Sequence, residues 1–180
     1  MRKIFHKTNV VTALKILLPT AYLLLLVFIF GNSLQPGEQS AQTSSRVVDT
    51  VQAVVAWIAP ESPIATATGE AYERLHADIR ILAHFSEFVL LGALTCGCAL
   101  AYGIKWKYFW LGLGSLLIVP ILDETLQSFT ANRAAELLDV MVDFSGGIVG
   151  FSLVLLFGYV YVRGSRLRSL WRKEGQERKE

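Results

Sequence analysis

The 180-residue sequence predicts an all-α integral membrane protein, a bundle of four transmembrane helices with a short amphipathic interfacial helix in the first outer loop. Three observations carry that fold class. Apolar residues gather in four blocks, 16–30, 79–101, 108–122 and 140–162, each near the roughly 20 residues that cross a hydrocarbon core of about 30 Å. The hydrophobic content of 53% exceeds the roughly 45–50% of a soluble domain, and the excess sits in those blocks. Lysine and arginine alternate between successive connections, as the rule relating basic loops to the cytoplasmic side requires.

The first block follows Arg2, Lys3, Lys7 and Lys15, with no acid among them. Its apolar run is long for a signal peptide, and Phe30-Gly31-Asn32-Ser33 is a poor cleavage site, so a retained first helix is expected. Pro19 lies inside it and frees a backbone carbonyl that a neighbouring helix or water must satisfy. The 31–80 connection opens as coil from Asn32. Ser44 or Ser45 is expected to cap a helix bearing Val47, Val48, Val51, Val54, Val55 and Ile58 on one face. Trp57 suits a membrane interface, and Pro60 and Pro63 stop the helix.

The second block contains Cys96 and Cys98, the chain's two cysteines. Two apart on a helix, they point to different sides and serve as small packing residues. The short 102–107 loop is basic, with Lys105 and Lys107. Gly92, and Gly146, Gly147 and Gly150 in the fourth block, permit close helix contact in lipid. Basic segments at both ends and at 102–107 place these in the cytoplasm, with 31–78 and 128–138 outside. Residues 1–162 form the transmembrane domain and 163–180 a basic tail, where Arg163, Arg166, Arg168 and Arg172 meet anionic lipid.

The third block is too short to span unless its helix continues through Asp123, Glu124 and Gln127. Acids at membrane depth are expensive and usually face the bundle with a partner. The second block brings Arg80, His84 and Glu87 to one face at the same depth. The fourth brings Asp139 and Asp143, four apart, and Arg133 lies in the connection between the third and fourth. These nine residues make the candidate binding site, with Arg133 expected to pair a carboxylate through its planar fork. Each also has a purely structural explanation: a hydrogen-bonded His84, a paired Glu87, an Asp139 that caps its helix.

The run His84-Phe-Ser-Glu-Phe-Val-Leu-Leu-Gly92, then Asp123-Glu-Thr-Leu-Gln, Arg133, Asp139 and Asp143-Phe-Ser-Gly-Gly, resembles the VanZ-like family. Ile79-Arg80-x-x-Ala83-His84-Phe-x-Glu is similar to that family's opening motif, and Asn32-Ser33 with the serines up to Ser45 resembles its first outer loop. Thr130-Ala-Asn-Arg133 departs from the family, which often has Pro-Gly before the arginine, so a different turn is expected. The resemblance implies a bacterial cytoplasmic membrane and a cell-envelope role, in a family named for an antibiotic-resistance protein linked to teicoplanin. It assigns no reaction and no catalytic residue.

Two functions follow. In one, the site binds a lipid-linked cell-envelope precursor or a glycopeptide-type ligand among membrane lipids, with no metal set assigned and the cofactor left unknown. In the other, an intramembrane hydrolase or metal-dependent enzyme uses His84 with Glu87, Asp123 and Asp143, an imidazole-carboxylate set suited to zinc or manganese. No serine or cysteine nucleophile motif supports the second. The two halves of the chain show no internal repeat of the kind common in transporters. Nucleic acid is not an expected partner, because the basic tail adjoins a membrane helix.

The orientation is testable by labelling intact cells after Cys96 and Cys98 are replaced. A cysteine at Ser40 should react with an impermeant reagent and one at Lys105 should not; the reverse pattern would invert the topology.

Overall fold

The computed structural model describes residues 2–105 and 108–177, with side chains described for 10–105 and 108–165. Among the described residues there are five helices: α1 Arg2–Ser33, α2 Gly37–Ile58, α3 Glu70–Ala101, α4 Phe109–Ser128 and α5 Leu137–Glu177. Four contain stretches long and apolar enough to cross a membrane: Val10–Ser33, Glu70–Ala101, Phe109–Ser128 and Leu137–Ser165. The outward faces of these helices are apolar, with Leu23, Leu24, Val27, Leu111 and Phe157 all exposed. Lipid is the solvent such faces require. The side chains of Arg2, Lys3, Lys7, Lys107, Arg166, Arg168 and Arg172, named above for topology and lipid contact, lie outside the described residues.

α3 and α5 form the central pair, and α1 and α4 pack around them. Glycine sets their spacing. A Cβ built on Gly146 would stand 2.5 Å from the Phe85 carbonyl oxygen, while one on Gly150 would collide with the Val89 carbonyl and one on Gly92 with that of Gly147. The two backbones therefore touch without side chains between them, which is how helices gain dispersion energy where lipid supplies no hydrophobic drive. Apolar clusters flank this seam, with Ile29, Phe88, Leu91 and Val119 on one side and Cys96, Phe109, Leu116 and Phe151 on the other.

Pro19 in α1 cannot donate to the Lys15 carbonyl four residues earlier. The Tyr102 hydroxyl at the end of α3 donates to that oxygen instead, at 2.7 Å. The Lys15 ammonium also sits 5.6 Å from the Tyr102 ring centroid. A neighbouring element thus satisfies the carbonyl the proline leaves free.

α2 begins earlier than its serines suggested. Pro36, extended at φ −54° and ψ 146°, precedes the first turn, and Glu38 complements the helix dipole there. Ser44 and Ser45 do not cap. Their hydroxyls bond back to the carbonyls of Ser40 and Ala41 at 3.1 and 2.9 Å, an option open to any mid-helix serine. Val48 is buried and Val51 and Val55 half-buried, whereas Val47, Val54, Trp57 and Ile58 stay exposed. The apolar face is therefore shared between the protein and its surroundings, as an interfacial helix requires.

α3 likewise starts at Glu70, nine residues before its apolar block. Glu70 and Glu73 favour the first turn. The added turns lie along α2, where Tyr72 donates to Asp49 at 3.0 Å and His76 Nε2 lies 3.3 Å from the Ala41 carbonyl oxygen. Gln52 holds the link between the two helices by donating to the Ile64 and Ala67 carbonyls, each at 3.0 Å. α4 continues through Asp123, Glu124 and Gln127, as its length demanded.

Replacing Gly150 with alanine puts a methyl against the Val89 carbonyl, which cannot rotate away. The expected loss is about 1–3 kcal/mol, typical of overpacking, read as a lower melting temperature of the purified protein. Gly114→Ala, at a position with nothing within 4 Å, should leave it unchanged or slightly raised.

Candidate functional site

One end of the bundle gathers the C-termini of α1 and α4 and the N-terminal parts of α3 and α5. Asp123 and Asp143 are fully buried there, with Glu124 and Gln127 nearly so. One ligand atom each from His84, Asp123 and Asp143 lies within 4.8 Å of the others. Three helices therefore converge on a point. The seam explains this for α3 and α5: Phe85 follows His84, Gly146 lies one turn beyond Asp143, and these two backbones are in contact.

Asp123 is held on both oxygens. Gln127, one turn on, donates to Oδ2 at 2.9 Å. The Ser33 hydroxyl at the end of α1 bonds Oδ1 and lies 3.0 Å from the Ile29 carbonyl oxygen. Ser33 was not among the residues singled out as a site. Its signal was present in the Asn32-Ser33 pair, which carries no mark by itself of which residue would face the acids. Glu124 points elsewhere, and its Oε1 accepts from the Glu136 backbone at 2.6 Å. Glu124 Oε2 and Asp143 Oδ1 are buried without a hydrogen-bond partner among the described residues. Each such acceptor costs about 1–3 kcal/mol when left bare.

The α4–α5 connection positions Arg133. Asn132 adopts φ 60°, the left-handed conformation that asparagine tolerates better than most residues and that glycine otherwise supplies. Its neighbour Ala131 accepts from the Gly37 backbone at 3.1 Å. A Cβ on Gly37 would come within 2.6 Å of the Asn132 carbonyl oxygen, so glycine is what allows α2 to begin against this turn. The turn before Arg133 thus reaches its positive φ at an asparagine.

Two cavities meet at this end. One, of about 160 Å³, is lined by Arg80, His84, Gln127, Arg133, Glu136 and Asp139 among others. The second, of about 280 Å³, lies between α1, α2 and α3 and adds Phe28, Val47, Ile79, Ala83 and Glu87 to Arg80, His84 and Arg133. All nine candidate residues fall at this end, but not in one role. Arg80, His84 and Arg133 border both cavities, Gln127 and Asp139 the polar one, and Glu87 the more apolar one. Asp123, Glu124 and Asp143 are buried beside them. Asp139 sits inside the first turn of α5 rather than capping it.

Arg133 does not make the expected carboxylate pair. Among the described residues the one ion pair within 4 Å joins Glu70 and Arg74. Burial, then the neighbouring Arg80 charge, pushes Arg133 below its ordinary value, against the attraction of Asp123 and Glu124. The guanidinium nevertheless stays charged, since arginine is not deprotonated in proteins. Arg133 sits in the connection and borders both cavities, and no carboxylate among the described residues comes within 4 Å of its guanidinium.

Ser33→Ala removes one partner of the buried Asp123 and should cost about 1–3 kcal/mol, seen as a clear drop in melting temperature. Thr125→Ala, whose exposed hydroxyl bonds only Ile121 of its own helix at 2.6 Å, should produce little change.

Comparison with curated proteins and with solved structures gave no match. The model of the VanZ/LLP1 family matches residues 20–158. That match covers the second and third membrane helices in full, parts of the first and fourth, and every residue of the polar end described above, and the chain belongs to the VanZ/LLP1 family.

Proposed function

We propose that this VanZ-family protein binds an anionic, lipid-linked ligand of the bacterial cell envelope at the outer half of the cytoplasmic membrane. Both termini then lie in the cytoplasm, and 163–180 forms a basic tail beyond a transmembrane domain of 1–162. The observation that carries this reading is the pair Arg80 and Arg133. Two guanidiniums border the same two cavities with no carboxylate within ion-pairing distance among the described residues. Like charges so placed repel, and an anion between them removes the repulsion while gaining charge-assisted hydrogen bonds. Phe28, Val47 and Ile79 line the second cavity beside those arginines, a surface suited to the first part of a hydrocarbon chain. A charged headgroup joined to such a chain matches both cavities together. A glycopeptide-type ligand engages the same arginines through a carboxylate, in keeping with the family's link to teicoplanin resistance.

Arg80→Gln and Arg133→Gln should each weaken binding of a long-chain prenyl phosphate in neutral-lipid nanodiscs by about tenfold to a hundredfold, the range expected for a lost hydrogen bond to a charged group. Melting temperature should change little, because neither arginine holds a carboxylate. Equal binding by the wild type and the double variant would refute the reading. A drop in teicoplanin tolerance of cells carrying the double variant, at unchanged protein level, would connect the site to resistance.

A further inference from the structure

We propose that His84, Asp123 and Asp143 hold one divalent transition-metal ion, Zn²⁺ or Mn²⁺, at the base of the polar end. The arrangement is wrong for direct contact and right for a shared cation. Among the described residues no hydrogen bond or ion pair within 4 Å joins the imidazole to either carboxylate, yet one ligand atom from each of the three lies within 4.8 Å of the others. An ion bonded at about 2.0–2.2 Å to each would separate its ligands by roughly 3–4 Å. Small side-chain rotations close the difference.

Burial supplies the second argument. Asp143 is 1% exposed and its Oδ1 has no hydrogen-bond partner among the described residues. Asp123 is 0% exposed. Among the described residues, neither carboxylate has a basic side chain within ion-pairing distance. A dication balances two buried carboxylates and occupies the bare oxygen in one step. The third argument is orientation. Ser33 and Gln127 fix both oxygens of Asp123, and the seam between α3 and α5 fixes His84 against Asp143. Ligands already held in this way lose little freedom when an ion arrives.

The donor set selects the metal class. One imidazole with two carboxylates suits Zn²⁺ or Mn²⁺, whereas the absence of a thiolate from the set disfavours Cu⁺. Three protein ligands leave a position open, as in sites that exchange a water or a ligand atom. His84 borders both cavities, so the site adjoins the space next to Arg80 and Arg133. The metal assignment does not depend on the headgroup reading.

The test uses the full chain in nanodiscs, stripped with a chelator and then dialysed against Zn²⁺ or Mn²⁺. Bound metal is counted by plasma mass spectrometry, and Co²⁺ loading is followed by its visible absorption bands. Wild type should bind about one ion per chain with a raised melting temperature. His84→Gln and Asp143→Asn should lose it, and Ser33→Ala should bind roughly 10–100-fold more weakly. Arg133→Gln should keep the ion while losing affinity for prenyl phosphate, which separates this inference from the previous one. A wild-type protein that takes up no stoichiometric metal overturns the inference and leaves a water or a shared proton at the base of the site. Undiminished uptake by both His84→Gln and Asp143→Asn overturns it as well. The wild-type measurement decides even if a variant fails to fold.

Discussion

Backbone contact between α3 and α5 is the constraint on which the rest of the structure depends. Gly146 and Gly150 press against the carbonyls of Phe85 and Val89, and Gly92 answers from α3 against Gly147. In lipid, association rests on packing and polar contacts, and small residues maximise the first. The seam has a second effect at its polar end. It brings His84 and Asp143 toward one another from helices that would stand several ångströms farther apart with side chains between them.

Around that pair the expense of charge in hydrocarbon organises everything else. Asp123 is buried on α4 because Ser33 and Gln127 occupy its oxygens, and Ser33 in turn ties α1 to α4. Glu124 draws the start of α5 inward through the Glu136 backbone. Gly37 meets Ala131 and couples the beginning of α2 to the turn that carries Arg133. The polar end is thus a set of short-range links, each of which satisfies a group that membrane depth leaves without water. Two oxygens escape this accounting, on Glu124 and Asp143.

Much of this was legible in the sequence, and the misses have physical causes. The four spans and the continuation of α4 through Asp123 followed from block length against bilayer thickness. The grouping of His84, Asp123 and Asp143 followed from helix direction. The start of α2 was misplaced because serine is a cap only when its hydroxyl reaches forward, and Ser44 and Ser45 reach back. The start of α3 was placed too late because its first turns are polar and pack on α2, a tertiary contact that hydropathy does not register. Shared depth and a planar guanidinium fork favour a carboxylate partner for Arg133, but neither fixes where the fork points. Its direction is set by the φ 60° turn at Asn132, a local conformation that the surrounding composition did not specify. Ser33 was overlooked because a hydroxyl at a helix end has many ordinary uses, and its partner lies 90 residues away.

That separation has a consequence in time. α1 precedes the other described helices along the chain, yet the groups that fix it come late. The Tyr102 hydroxyl that occupies the Lys15 carbonyl lies 87 residues downstream, and Asp123 lies 90 beyond Ser33. At about 5–20 residues per second of synthesis, α1 spends roughly 5–20 s in the membrane with a bare carbonyl beside Pro19 and a serine at its far end bonded only within its own helix. The nascent protein therefore acquires α1 well before the polar partners of that helix, the second of which arrives when α4 delivers the carboxylate.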